Sequence, residues 1–283
     1  METIMTTVRD ITKNPMTVYI KNRIKKNKNF LVAITGPTGS GKTYAALKLA
    51  KMWDDSFDED RIVFTPETFI SLINGGSLKS GSVIVFEEAG VSLNNRAWQS
   101  KSNNLIQYIL QTFRHKNYIV IFTAPDFGFI DSASRKLFHA HFMTMGINFT
   151  QKKCNIKPYF IQINQRTGNM YYKFLKVLYK GRGELKIGMM GISKPDKETI
   201  KKYEIVKTTF TTKLNEEAQQ TLNGDGKADK KDKLEIETER KVTAIQQMRD
   251  DKKSWADIAK LLSYTNGENA RMWFSRNRTH SES

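Results

Sequence analysis

Eight consecutive residues, Gly36-Pro37-Thr38-Gly39-Ser40-Gly41-Lys42-Thr43, have types and spacing suited to holding phosphate. The pattern is Gly-x4-Gly-Lys-Thr. Its glycines let backbone N–H groups curl round an anion without Cβ clashes. Lys42 supplies a point charge to phosphate oxygens, and the Thr43 hydroxyl is a ligand type that suits Mg²⁺. An apolar run, Phe30 to Ile34, precedes the loop, and the helix formers of Thr43 to Trp53 follow it. Strand, loop and helix in that order are the context the motif requires, and the helix dipole adds to the attraction. These residues point to a bound nucleoside triphosphate, ATP with Mg²⁺ above all.

Two acids close a second apolar run, Val83-Ile84-Val85-Phe86-Glu87-Glu88. Such a strand is expected beside the phosphate-loop strand. Glu87 would then hold the Mg²⁺ shell, and Glu88 would polarise a water for attack on the γ-phosphate. Asp is more usual at the first position, and the longer Glu87 reaches the metal through water. The plainer reading is two acids at a strand end. A third run, Tyr118 to Phe122, ends in Thr123. Thr123 is placed to meet the γ-phosphate or the attacking water, or only to hydrogen-bond the strand end. Arg114 precedes this strand and Arg135 follows it. Either is a candidate arginine finger toward a neighbouring subunit, the alternative being a surface or ion-pairing role. Arg96 is a weaker candidate. The expected catalytic set is therefore Lys42, Glu88, Thr123, Arg114 and Arg135. Thr43 and Glu87 are expected on the metal, and residues 36–43 on the nucleotide.

Elements must position these side chains. The three apolar runs read as buried parallel strands. Arg61 to Thr65 reads as another strand. Pro66-Glu67 opens a helix that Gly75-Gly76 ends. Leu105, Ile106, Ile109, Leu110 and Phe113 have helical spacing, and Ser132 to Leu137 also reads as helical. Alternating strands and helices indicate an α/β, doubly wound, mostly parallel sheet. After about residue 140 the pattern changes to strands over 141–149, 159–164, 170–179 and 185–192. The turns Arg166-Thr167-Gly168-Asn169 and Gly181-Arg182-Gly183-Glu184 separate three of them, giving an antiparallel addition. A helix is expected from Pro195 to about Lys213.

The division that follows is a basic arm (1–28), a core (29–145), the β addition with its helix (146–221), a charged linker (222–239) and a small helical domain (240–283). The last part has short helices over Ala244 to Arg249, Trp255 to Leu262 with Ser254 as N-cap, and Glu268 to Arg276. This is a helix-turn-helix-like layout whose last helix, with Arg271, Arg276 and Arg278 just beyond, would enter a major groove. The other reading is a helical module that packs on a protein.

Lys and Arg total 46 against 29 Asp and Glu, for a net charge of +17. Such a field attracts polyanions, and nucleic acid, here DNA, is the expected partner, although solubility alone also explains a basic surface. A single cysteine, Cys154, excludes an internal disulfide and suits an intracellular, cytoplasmic protein. No apolar run approaches the roughly 18 residues that read as a membrane span, and the N-terminus has no apolar leader core.

Residues 29 to 145 resemble the FtsK–HerA superfamily of P-loop motors, and within it the zonula-occludens-toxin-like ATPases and their archaeal plasmid and virus counterparts. The phosphate loop, Phe86-Glu87-Glu88-Ala89-Gly90 and Thr112-Phe113-Arg114-His115 carry the resemblance. Phe129-Ile130-Asp131, followed by Arg135, also fits. Where the family commonly has Gln after the fourth strand, this chain has Thr123. The resemblance implies a P-loop NTPase fold and a homo-oligomeric ring, often a hexamer. It also implies ATP and Mg²⁺ as cofactors and work on DNA for a mobile element. An ATP-switched DNA-binding regulator is the alternative. A small-molecule kinase is disfavoured by Glu88, since kinases do not want an activated water.

Overall fold

The computed structural model describes residues 5–8, 14–87, 116–130, 132–179, 183–222, 242–250, 253–262 and 265–277. Glu88, Arg96, Arg114, the expected helix over 103–113 and nearly all of the expected linker lie outside the described residues. The chain divides into two units, Met1–Thr208 and Thr209–Ser283.

Strand β1 (Met5–Val8) opens the first unit, followed by helix α1 (Pro15–Lys25). Asn14 caps α1 by accepting from the N–H groups of Met16 and Thr17 at 3.0 and 3.2 Å, and Pro15 takes the first helical position. Met16 and Ile20 face inward, while Lys21, Lys25, Lys26 and Lys28 stay exposed. The basic stretch is thus an amphipathic helix. The strand before it was not expected from its polar sequence.

Then follow β2 (Phe30–Thr35), α2 (Lys42–Trp53), β3 (Ile62–Val63), α3 (Pro66–Asn74), β4 (Val83–Phe86), β5 (Ile119–Ala124) and α4 (Ser132–Arg135). Every residue of β2, β4 and β5 is buried, as the apolar runs require. After them come β6 (Ala140–Asn148), β7 (Lys153–Ile163), β8 (Met170–Tyr179), β9 (Gly183–Ile187), β10 (Met190–Ser193) and α5 (Lys197–Leu222). The stretch expected as one strand over 185–192 is two strands. The helix expected to end near Lys213 continues to Leu222.

The strands form one sheet in the order β1-β8-β7-β6-β2-β5-β4-β3, with β9 beside β8 and β10 beside β7. From β6 to β3 all neighbours are parallel, and β6, β7, β8 and β9 pair antiparallel. The result is a mixed α/β core, parallel from β6 to β3 and antiparallel from β6 to β9. One expectation is corrected. The acid-bearing strand β4 does not neighbour the phosphate-loop strand β2, because β5 lies between them. Hydrophobic pattern marks each run as interior but carries no information on which interior strand it pairs with.

Aromatic rings fill one face of this core. Phe86 stacks on Phe122 at 5.3 Å, and Phe69 and Phe138 meet that pair edge-on. Each such contact adds about 0.5–1.5 kcal/mol beyond area burial. Asp54, just past α2, accepts from Arg61 at 2.5 Å and from the Val83 N–H at 3.0 Å, tying the start of β4 to the end of α2. Burial opposes ionisation of Asp54, but hydrogen bonds from Ser56 and Val83 and the charge of Arg61 outweigh it and hold the carboxyl below its usual range.

In the second unit, helices over 242–250, Trp255–Leu261 and Gly267–Asn277 enclose Val242, Ile245, Ile258, Ala259, Ala270 and Phe274. Ser254 caps the middle helix, accepting from the Asp257 N–H at 3.2 Å. Arg271 and Arg276 are exposed on the last helix. Among the described residues, no helix is long and apolar enough to cross a membrane.

Candidate nucleotide-binding site

The loop between β2 and α2 is held in shape from behind by β6. Thr144 donates to the Ser40 hydroxyl at 2.7 Å and lies 3.0 Å from the Thr35 carbonyl. His141, three residues earlier, meets the Thr35 hydroxyl at 2.7 Å. The Cys154 thiol, on β7, donates to the Ser40 carbonyl at 3.3 Å. A register shift between Thr144 and Ile147, with Gly146 at φ 103°, bends β6 where it passes the loop. The approach is close. A Cβ on Gly36 would stand 1.8 Å from the Thr144 hydroxyl oxygen.

Gly41 takes φ 90° and caps α2 without a side-chain hydrogen bond. Its left-handed backbone turns the chain from loop into helix, and a side chain there would be strained. Lys42 and Thr43 occupy the first helical positions, with Lys42 only 6% exposed.

Sequence-distant elements converge on Glu87, at the tip of β4. Glu87 is 1% exposed. Its Oε1 accepts from the Thr43 hydroxyl at 2.6 Å and from the Tyr203 hydroxyl at 3.1 Å. Its Oε2 accepts from Thr123 at 2.8 Å. The Lys207 ammonium stands 4.0 Å from Oε1. A buried carboxylate is costly unless hydrogen-bonded and paired, and this one is both. Thr123, fully buried on β5, pairs in register with Ile34 on β2, which places its hydroxyl between the loop strand and the acid strand.

The structure therefore brings Thr43, Glu87 and Thr123 into one hydrogen-bonded cluster at the end of the loop that carries Lys42. Arg135 ends α4 with its guanidinium 6.0 Å from the Phe127 ring centroid, and no hydrogen bond or ion pair joins it to that cluster among the described residues. Glu88 and Arg114 lie outside the described residues.

Several participants were not found by reading the sequence. Tyr203 and Lys207 come from α5, more than a hundred residues after Glu87. Tyr203 packs edge-on to Tyr44 at 6.5 Å, and Lys207 lies 5.6 Å from the Tyr203 ring centroid. Only the helical spacing i, i+4 in α5 placed them on one face. Burial, then the neighbouring Glu87 charge, raises the Tyr203 hydroxyl well above its ordinary range, so it stays a donor. His141 is stacked on Phe127 at 4.3 Å, and burial drops it to about 4 despite the opposing charge of Asp126. Burial pushes the Cys154 thiol up to about 11, which makes it an inert thiol at neutral pH.

The donor set fits a nucleotide with Mg²⁺. Thr43 and Glu87 offer hard oxygens, Lys42 offers the charge, and the loop offers backbone amides, with a Cβ excluded at Gly36 and positive φ at Gly39 and Gly41.

No protein-family model matches the chain, and no curated protein matches it. Among solved structures, it is similar to the N-terminal domain of zonular occludens toxin from Neisseria meningitidis, at 15% identity and a TM-score of 0.32. That match covers 51% of this chain and 93% of that one. The likeness is loose and carries no statement about chemistry.

Proposed function

We propose that this protein is a Mg²⁺-dependent ATPase that works on DNA, a motor of a plasmid or virus acting in the cytoplasm as a homo-oligomeric ring. The observation that carries the hydrolase reading is the Thr43–Glu87–Thr123 cluster beside the phosphate loop. In this reading the amides of residues 36–43 and the Lys42 ammonium bind the phosphates. Thr43 and Glu87 are the residues that would hold the metal. The metal's contribution is to neutralise charge on the phosphate oxygens. Thr123 holds Glu87 in place and stands near the γ-phosphate. Glu88, the next residue along, positions and polarises the attacking water. Arg114 and Arg135 are the candidates for a finger supplied to a neighbouring subunit.

The DNA part is supported by the +17 net charge and by the exposed Arg271 and Arg276 on the last helix of the helical unit. The test is ATP turnover by the full chain with Mg²⁺, with and without double- and single-stranded DNA. Turnover should rise with DNA and fall about 100-fold or more in Lys42→Ala, a loss comparable to removing a major electrostatic contact at a reacting centre. Turnover indifferent to both forms of DNA would sink the motor reading.

The separate core of the helical unit favours a second reading, an ATP-switched DNA-binding regulator with a helix-turn-helix as its reading head. Deleting residues 241–283 would then abolish binding to a defined operator while ATP turnover persists.

A further inference from the structure

A cavity of about 400 Å³ opens at the last glycine of the phosphate loop, and Glu87 is not among the residues that line it. Gly41, Tyr44 and Ala45 form its near wall, so it begins where the loop passes into α2. Its far wall is the tip of the β6–β7 hairpin and the end of β10. We propose that this cavity holds the nucleoside half of the bound nucleotide, and that Phe149 is the residue on which the base stacks. The proposal rests on the phosphate-loop reading above and extends it to the base.

Position is the first reason. The loop has two flanks, because β2 pairs with β5 on one side and β6 on the other. The β5 flank is closed by Glu87, Thr123 and Tyr203, hydrogen-bonded and buried. A nucleotide whose γ-phosphate faces that cluster would carry its nucleoside toward the β6 flank. The cavity lies there and shares Gly41 with the loop.

Chemistry is the second reason. The floor is apolar, formed by Ile147, Cys154 and Ile192. Lys152, Lys153 and Lys194 stand at the rim, beside the Ser193 hydroxyl. An apolar slot with a few polar groups at one edge suits a flat heterocycle with a sugar, and the volume falls in the usual range of roughly 300–1,000 Å³ for small-molecule sites. A bare phosphate or a second anion would need buried donors, which this floor lacks.

The third reason is Phe149 itself. It follows the bulged end of β6, lines the cavity, and is 82% exposed. It is the most exposed of the large hydrophobic side chains among the described residues. Its ring has no role in the core. A base lying on it would cover it.

The experiment is calorimetric titration of the full chain with ATP and, separately, with inorganic tripolyphosphate, which has the phosphates and no nucleoside. Phe149→Ala should weaken ATP binding about tenfold, as loss of a base–aromatic stack does, and leave tripolyphosphate binding unchanged. Phe149→Trp should restore the ATP affinity. Lys42→Ala should weaken both ligands. ATP affinity unchanged in Phe149→Ala would overturn the base pocket while leaving the phosphate-loop reading intact. Equal weakening of ATP and tripolyphosphate would also overturn it, since the ring would then act on the loop's shape. Failure of the wild-type chain to bind either ligand would overturn both readings together.

Discussion

His141 shows how a buried titratable side chain can serve a site without doing chemistry in it. Its ring hydrogen-bonds Thr35, the last residue before the phosphate loop, and lies flat on Phe127. Burial holds its folded pKa at about 4, below the ordinary value of 6.5. The unfolded chain therefore takes up a proton first as the pH falls. The stability His141 contributes is fully present above about pH 6.5 and is lost as the pH drops toward 4, on the order of 3 kcal/mol in all. Urea unfolding midpoints from pH 7.5 to 4.5 should decline in the wild type, and His141→Gln should flatten that decline. Parallel declines in the two proteins would show that His141 is not its cause. Glu87 and Tyr203 teach a related lesson. The acid was legible because it ends an apolar run, whereas Tyr203, one of the residues that hydrogen-bond it, sits in a helix whose sequence gives no sign of a destination.

At the scale of elements, β6 acts as a template for the phosphate loop. It is parallel to β2, and its bulge brings Thr144 against Gly36 and Ser40. Gly36→Ala would drive a methyl into the Thr144 hydroxyl, and overpacking of this kind costs about 1–3 kcal/mol. Thermal melts should show that loss, and Thr144→Ala in the same chain should recover part of it. No recovery would mean that the backbone at Gly36, not the contact, sets the cost. The strand expected over 170–179 was found at those bounds, as β8. The first half of β7 was missed. Cys154, Ile156, Pro158 and Phe160 point inward there and alternate with Lys153, Asn155 and Lys157, so the period of two is present, but a proline inside the run argues against a strand. β1 has four residues and a polar context, and pairing with β8 is what makes it a strand.

For the whole molecule, the proposed ring makes a claim about assembly. Arg135 packs over the Phe127 ring of its own chain, so a role toward a neighbour would need that contact to open. Sedimentation velocity should show a larger species with Mg²⁺ and a non-hydrolysable ATP analogue than without. An unchanged sedimentation coefficient would remove the basis for a finger in trans and leave the regulator reading the stronger. The net charge of +17 belongs to the same scale, since a field of that size acts on the partner encountered and not on the fold.

The sequence by itself determined the glycine-rich loop of residues 36–43, its flanking strand and helix, and the acid at the end of a buried strand. Each of these is written in neighbouring residues, where spacing, apolar runs and glycines act within a few ångströms along the chain. Only the tertiary structure decided that β5 separates the strand before the loop from the strand that carries the acid, and that Thr43 and Thr123 both reach Glu87. It also decided that β6 shapes the loop from behind, that α5 returns to hydrogen-bond Glu87, and that a cavity opens beside Gly41. Those relations depend on which strand pairs with which and on where a distant helix comes to rest. Both are set by the sum of many weak contacts between residues far apart in the chain, and local pattern does not record them.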